Sequence, residues 1–201
     1  MLHFLEPLVI IKTLGLFGVF AIVFAESGLF FGFFLPGDSL LFTAGFLASQ
    51  GFFPIGWLSL GCFIAAVLGD SVGYAFGRRV GIKLFTREDS VFFHKAHIAR
   101  AQLFYEKYGK KAIILGRFIP VVRTFVPIVA GIGSMPYKIF IRSNILGGAL
   151  WALGMTLGGY WLGTLVPSVD KYLLPIIFLI IIVSFVPIIR EYLKSRRSKE
   201  L

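Results

Sequence analysis

The chain has 201 residues, of which 57% are hydrophobic and 15% are charged. An average soluble domain is about one quarter charged, so this composition excludes an ordinary soluble protein and predicts an integral membrane protein. The net charge of +10 would suit a nucleic-acid partner, but the basic residues are concentrated in two stretches, 78–111 and 190–199. Basic stretches beside membrane segments hold loops in the cytoplasm and attract anionic lipids. We therefore expect anionic membrane lipids, and no nucleic acid, as partners of these stretches.

The first half of the chain predicts two spanning helices with a broken apolar segment between them. Residues 8–25 form the first predicted span, and the segment before it lacks a basic region and a cleavage site, so we expect it to be retained. Residues 26–50 are apolar but contain Pro36-Gly37, a pair that favours a turn and predicts a re-entrant hairpin. Residues 55–76 form the second predicted span, with about the 20 residues that a span needs.

The second half predicts the same sequence of elements after a polar connector. Residues 82–111 are polar, and residues 94–111 within them carry the mixed charge that is typical of a helix lying at the membrane surface. Residues 112–135 predict a second re-entrant hairpin, a broken apolar stretch that contains Pro120 and Pro127. Residues 139–165 and 172–189 predict two further spans. The predicted fold class is therefore an all-α integral membrane protein with two opposed re-entrant hairpins and about four spanning helices.

Charge distribution predicts the orientation of these segments. If both basic stretches lie inside, both termini are cytoplasmic, the first hairpin enters from outside and the second from the cytoplasm. A weak repeat at an offset of 85 residues aligns Asp38 with Arg123 and residues 68–73 with 153–158. Inverted repeats are the usual construction of secondary transporters with a midplane site. We expect one membrane domain over 1–201. The first repeat, 8–77, is followed by a basic connector, 78–111, and the second repeat, 112–189, is followed by a basic tail, 190–201.

Four charged residues lie inside the two broken stretches: Glu26, Asp38, Arg117 and Arg123. An ionisable side chain at membrane depth is costly and usually has a function. A guanidinium stays charged and matches phosphate or carboxylate with two donors, so the two arginines are the predicted substrate contacts. The alternative is that they only neutralise the two acids and hold the hairpins together.

Glu26 and Asp38 are the predicted proton-coupling residues. Burial disfavours the charged form of a carboxylate, whereas a nearby arginine favours it, so the proton affinity of such a group can differ between two conformations. For Asp38 a local alternative exists, because Pro-Gly-Asp-Ser is also good capping chemistry. In that case Asp38 or Ser39 caps the helix that follows.

Several other residues are expected to support the site or the packing. The residues that shape the hairpins are Pro36, Gly37, Pro120 and Pro127. Asp70 lies about two turns before the cytoplasmic edge of its span, and we expect it to pair with Arg78 or Arg79. Gly69, Gly73 and Gly77 recur every four residues, a spacing that lets helices pack closely in lipid.

Catalytic and metal sites are not expected. His94 and His97 could share a helix face, but no Cys or acidic residue nearby completes a metal set. The chain has no Ser/His/Asp arrangement and no phosphate-binding glycine loop after a strand. The single Cys62 is expected to pack in the interior, and three polar or aromatic residues of the later span are expected to join helices or to anchor at the membrane interface: Asn144, Trp151 and Tyr160. We therefore expect no enzyme, no cofactor and no metal.

Four segments together resemble the DedA family of bacterial inner-membrane proteins, which is related to the VTT domain superfamily. They are Glu26, FLPGDS at 34–39, GDSVGYAFGRRVG at 69–81 and GRFIPVVRTFVPIVAG at 116–131. The resemblance implies opposed re-entrant hairpins and dependence on the proton gradient. For some members it implies translocation of undecaprenyl phosphate. It also implies that the family's essential acids correspond to Glu26 and Asp38 and its essential arginines to Arg117 and Arg123.

Three functional hypotheses follow. The leading one is a flippase of undecaprenyl phosphate or a related lipid phosphate, driven by the proton gradient across the cytoplasmic membrane and supporting envelope homeostasis. The second is a proton-coupled exporter of small cations or drugs, in which the carboxylates bind the substrate. The third is a membrane organiser without transport, whose basic residues at 78–111 recruit partners. The sequence is compatible with an oligomer in each case.

Overall fold

The computed structural model describes residues 7–29, 35–81, 108–109 and 111–165. These residues form helices joined by short turns and contain no strand, which confirms the predicted all-α class for the described ranges. The helices of the first half are α1 (Pro7–Gly28), α2 (Gly37–Ser49) and α3 (Ile55–Phe76). Those of the second half are α4 (Pro120–Ile132), α5 (Tyr137–Gly148) and α6 (Gly154–Leu165). Two π-helical turns follow α3 and α5: Gly77–Gly81 and Ala149–Leu153.

Two of the described helices are long and apolar enough to cross a membrane. Ile55–Val80 has 26 residues, and Tyr137–Leu165 has 29 residues because α5, the π turn and α6 are continuous. They correspond to the spans predicted at 55–76 and 139–165. The predicted uninterrupted span at 8–25 is wrong in one respect, because α1 is broken at Gly15, where φ is 61°. Glycine adopts a positive φ readily, and the apolar part after the break is the shorter helix Leu14–Gly28.

The two broken stretches contain short helices. α2 and α4 each have 13 residues, or about 20 Å, which is less than the roughly 30 Å of a bilayer core. The second stretch breaks at residues 117–119, between a helical segment at 111–116 and α4. Pro120 begins α4, where its missing N–H costs little. Pro127 lies inside α4 without ending it, so of the two prolines in this stretch only Pro120 lies at the break.

Some predicted segments lie outside the described residues. These are most of the polar segment at 82–111, which includes His94 and His97, the fourth span at 172–189 and the basic tail at 190–201. The expected domain boundaries therefore stay predictions.

Glycines set the close approaches between helices, as the spacing of Gly69 and Gly77 predicts. α1 packs along α3, and a Cβ at Gly28 would lie 3.0 Å from the Cα of Gly69. A Cβ at Gly77 would collide with the backbone carbonyl of Ile128 in α4. Gly73 is less crowded, because the nearest atom to its Cβ position is 3.5 Å away. These contacts bring α1 and α4 to neighbouring parts of α3.

Apolar side chains fill the spaces between these helices. One cluster joins α1, α2, α3 and the second π turn, and it includes Val23, Leu41 and the free thiol of Cys62, which is fully buried as predicted. Large apolar side chains also face outward, among them Phe17, 84% exposed. The charged residues of the two broken stretches lie inside this apolar frame.

Candidate functional site

A single guanidinium joins three helices at the centre of the site. Arg123 lies in the first turn of α4, and its Nη2 donates to Oε1 of Glu26, close to the end of α1. Its Nη1 donates to Oδ1 of Asp38, in the first turn of α2, at 2.6 Å. Arg123 is 6% exposed and Glu26 has no exposed surface. The structure therefore brings together both predicted proton-coupling acids and one of the two predicted substrate arginines.

Backbone features place these side chains. A Cβ at Gly37 would overlap the carboxylate of Glu26, so only glycine leaves room for that carboxylate beside α2. The cap of α2 is Pro36 and makes no side-chain capping bond. Ser39 donates its hydroxyl to the Pro36 carbonyl at 3.0 Å. The expected cap by Asp38 or Ser39 is therefore not formed, and the Asp38 carboxylate bonds across to α4 instead.

Arg117 makes a second ion pair beside the first. Its Nη1 lies 3.1 Å from Oδ2 of Asp70 in α3 and donates to Oδ1 of Asn144 in α5 at 2.6 Å. Its Nη2 donates to the carbonyl of Ala66 at 3.0 Å. The expected pairing of Asp70 with Arg78 or Arg79 is wrong, because Asp70 pairs with Arg117. Arg78 donates to the hydroxyl of Tyr74 at 3.1 Å.

Arg117 lies in the turn at 117–119, and two features of neighbouring helices determine where its guanidinium lies. A Cβ at Gly148 would lie 3.1 Å from Nη1 of Arg117. Asn144 donates its side-chain amide to the carbonyl of Val67 at 3.0 Å, which fixes the oxygen that Arg117 uses. Arg117 thus ties α3 to α5. This second cluster does not contain Glu26 or Asp38, so the two predicted arginines take different acidic partners.

Trp151 connects the two clusters. Its indole Nε1 donates to Oδ1 of Asp38 at 2.7 Å. The Cζ atoms of Arg123 and Arg117 lie 4.7 and 5.7 Å from the centroid of its ring, which is within the range of cation–π attraction. Trp151 is 2% exposed and is the central residue of Tyr137–Leu165. Trp151 therefore joins helices, which is one of the two roles expected for it.

Sequence reasoning missed Trp151 and Asn144 as members of the site. One signal was available for Trp151: a buried indole usually finds an acceptor for its N–H, and an apolar span offers few acceptors besides a carboxylate from another segment. For Asn144 the signal is weaker, because a side-chain amide within a span can bond to the backbone of a neighbouring helix as well as to a charged side chain.

Among the described residues, three buried side-chain polar atoms have no hydrogen-bond partner: Oε2 of Glu26, Nε of Arg123 and Oγ1 of Thr43. Two of these atoms belong to the ion pair of Glu26 and Arg123, which therefore has one unused acceptor and one unused donor. A buried polar group without a partner costs about 1–3 kcal/mol. The pair gains if a proton or a ligand oxygen takes these positions.

The charges of the site do not balance. Three carboxylates, of Glu26, Asp38 and Asp70, face the guanidiniums of Arg117 and Arg123. With every group ionised, the set carries one negative charge in excess. The described residues contain no group of three side chains suited to hold a metal ion. A proton on one carboxylate would neutralise the set.

The sequence matches the VTT domain over residues 35–161. It is 44% identical to the protein DedA of Escherichia coli, over 90% of this chain and 83% of that protein. The chain belongs to the DedA family. It is therefore a membrane protein of that family, as the four motifs predict. The VTT match includes Asp38, Asp70, Arg117, Arg123 and Trp151, whereas Glu26 precedes it.

Mycobacterial relatives of this DedA-family member cover similar lengths. An uncharacterized membrane protein of Mycobacterium tuberculosis is 44% identical over 97% of this chain and 88% of its own length. Another from Mycobacterium leprae is 46% identical over 83% of this chain and 74% of its own length. No solved structure matches the chain.

Proposed function

We propose that this membrane protein carries a lipid phosphate, undecaprenyl phosphate or a related polyprenyl phosphate, across the bacterial cytoplasmic membrane at the expense of the proton gradient. The observation that carries the proposal is the Arg123 guanidinium held between the carboxylates of Glu26 and Asp38. A phosphate, like a carboxylate, offers a guanidinium two acceptor oxygens at once. In this proposal the phosphate headgroup replaces the two carboxylates as the partner of Arg123.

The proposed path uses the two broken stretches as re-entrant hairpins from opposite faces. In this proposal residues 26–50 form the outer hairpin and residues 112–135 the cytoplasmic one, with both termini in the cytoplasm. The shortness of α2 and α4 supports this arrangement, since each is too short to cross a bilayer core. Non-helical backbone at membrane depth is tolerated where protein or a polar cavity satisfies it. The headgroup would pass between the hairpins while the polyprenyl tail stays in lipid.

Protons would enter the cycle through the two carboxylates. A phosphate on Arg123 leaves Glu26 and Asp38 without their cation, and an uncompensated buried charge is strongly unfavourable. The carboxylates therefore have to take up protons as the headgroup binds. Release of those protons restores the ion pairs and expels the headgroup. The cycle makes and breaks no covalent bond, so we propose a transporter that is not an enzyme and that uses no cofactor or metal.

The two arginines differ in how readily they can reach the headgroup. Arg123 is held by carboxylates that protonation releases, and its Nε has no partner among the described residues. Arg117 is also bonded to Asn144 and to the Ala66 carbonyl, so protonation of Asp70 alone does not free it. We therefore propose Arg123 as the first phosphate contact and Arg117 as a second contact that follows.

The test is reconstitution of the full chain into vesicles that contain labelled undecaprenyl phosphate, with an imposed proton gradient. We expect label to cross with the wild-type protein and not with Arg123→Ala. Arg142→Ala is the matched control, because Arg142 is an exposed arginine of α5. Normal movement by Arg123→Ala would refute the mechanism, and absence of movement by the folded wild-type protein would refute the substrate.

A second candidate is a proton-coupled exporter of small cations, and the excess carboxylate of the site favours it. In that case the carboxylates bind the cation and the arginines restore them afterwards. Vesicles without lipid phosphate would then show proton-driven efflux of an organic cation such as ethidium. The lipid-phosphate carrier would show none.

A further inference from the structure

Trp151 contacts both ion-pair clusters. Its N–H bonds to Asp38, which belongs to the first cluster, and its ring lies against Arg123 of the first and Arg117 of the second. A hydrogen bond to an ionised carboxylate is about twice as strong as one between neutral groups. The charge of Asp38 therefore strengthens the one hydrogen bond that the indole N–H makes.

The backbone beneath Trp151 departs from regular α-helical geometry. Ala149–Leu153 is a π-helical turn in the middle of a continuous helix, and such turns occur often at functional sites. The hydroxyl of Thr156 donates to the carbonyl of Ala152 at 2.7 Å, and the carbonyl of Leu153 lies 3.3 Å from the same oxygen. The Ala152 carbonyl of the widened turn thus has a side-chain partner, which lowers the cost of departing from regular helical bonding.

We infer that Trp151 is a positioning residue that couples both arginines to the charge of Asp38, and that the indole withdraws from both guanidiniums when Asp38 is neutralised. This inference rests on the proposed function and deepens it, because it makes one proton change the surroundings of both arginines. Neutral Asp38 is a weaker acceptor for the indole and no longer holds Arg123. The indole then loses the charge-assisted hydrogen bond that holds it between the two guanidiniums.

The groups that face this indole are few among the described residues. Asp38 approaches from α2, Arg123 from α4 and Arg117 from the turn before it. Glu26 of α1 and Asp70 of α3 reach the same arginines from their far sides. Each acid can be neutralised separately, so the contribution of Asp38 is separable by mutation.

The experiment uses Trp151 as its own reporter. The chain has three tryptophans, and the other two, Trp57 and Trp161, are 69% and 66% exposed. Replacing both by phenylalanine gives a parent protein in which fluorescence reports Trp151 alone. In lipid nanodiscs near neutral pH, we expect weak quenching by acrylamide, because the indole is buried. Asp38→Asn should increase the quenching constant severalfold.

Acidification and a matched control complete the test. Lowering the pH should increase quenching in the parent and leave Asp38→Asn unchanged. Glu26→Gln removes a carboxylate from the same Arg123 but touches no atom of the indole bond, so its quenching should stay low near neutral pH. Equal quenching in the parent and Asp38→Asn overturns the inference, and so does an equal increase in Glu26→Gln. If Asp38→Asn does not fold, the parent decides, because quenching that stays constant on acidification also overturns it.

A transport measurement separates this inference from the proposed function. The quenching experiment needs no substrate, so its outcome stands even if no lipid phosphate moves. Trp151→Phe keeps a ring over the arginines and removes the N–H. We expect this variant to move undecaprenyl phosphate with little dependence on the proton gradient. Unchanged dependence on the gradient would show that the indole bond does not couple the clusters.

Discussion

Asp38 and Arg123 are 85 residues apart in the chain and bond at 2.6 Å, each from the first turn of a 13-residue helix. A helix start carries a partial positive charge that stabilises an anion and opposes a cation. Asp38 therefore benefits from its place in α2, whereas Arg123 is in an unfavourable place in α4. Two carboxylates offset that cost, and removing either one leaves Arg123 poorly compensated.

The first prediction concerns the fork of Arg123. Arg123→Lys keeps the positive charge but offers one nitrogen in place of the two that bond to Glu26 and Asp38 separately. We expect it to lose transport almost as completely as Arg123→Ala. Breaking a buried ion pair costs about 3–5 kcal/mol, so Arg123→Ala should also lower the thermal unfolding temperature in detergent more than Arg123→Lys does. Transport by Arg123→Lys at the wild-type rate would contradict the need for a fork.

The second prediction concerns the partner of Asp70. A double-mutant cycle with Asp70→Asn and Arg117→Gln should show a coupling of about 0.5–3 kcal/mol, as residues in direct contact do. The same cycle with Arg78→Gln should show almost none, since Arg78 bonds to Tyr74. Both coupling energies follow from the free energies of unfolding, which are measured with a denaturant in detergent. Larger coupling with Arg78 would contradict the arrangement described for α3.

The third prediction concerns the space beside Glu26. Gly37→Ala places a methyl group where the Glu26 carboxylate lies, so we expect loss of transport although no charged residue changes. Gly56→Ala is the matched control, because its added methyl group meets nothing within 4 Å. Normal transport by Gly37→Ala in reconstituted vesicles would mean that the Glu26 carboxylate does not need this position.

The fourth prediction compares two glycines of one helix edge. A methyl group at Gly77 would collide with the Ile128 backbone, whereas one at Gly73 has its nearest neighbour 3.5 Å away. We expect Gly77→Ala to lower the unfolding temperature clearly and Gly73→Ala to change it little. The melting of the two purified variants measures this difference. The reverse order would contradict the packing of α4 on α3.

The energetic cost of burying a charge explains which residues of the site can be predicted from the sequence. Glu26, Asp38 and Arg123 stand out because each is expensive in an apolar stretch, and the offset repeat aligns Asp38 with Arg123. The alignment predicts equivalent positions in two halves, and contact between them depends on the fold. Asp70 shows the limit. Arg78 is near it in sequence, but the turn before α4 brings Arg117 closer in space.

Local rules also fail where tertiary contacts outweigh them. Asp38 has the sequence of a helix cap, yet the ion pair with Arg123 and the bond from Trp151 take its carboxylate. Pro127 is a helix breaker that remains inside α4. Its missing N–H leaves the carbonyl of Arg123 without that helical bond. Such exceptions cluster around the buried charges, where the surrounding helices impose the geometry.

The complete burial of Glu26 has a consequence for energy conservation in the cell. Glu26 has no exposed surface in this arrangement, so the proposed transport cycle would require the surrounding helices to separate before its carboxylate could exchange a proton with either side. A protein with charged groups at the centre of a membrane risks becoming a proton leak. In the proposed cycle the closed ion pairs would prevent such a leak, and protons would cross only when the helices around Glu26 separate.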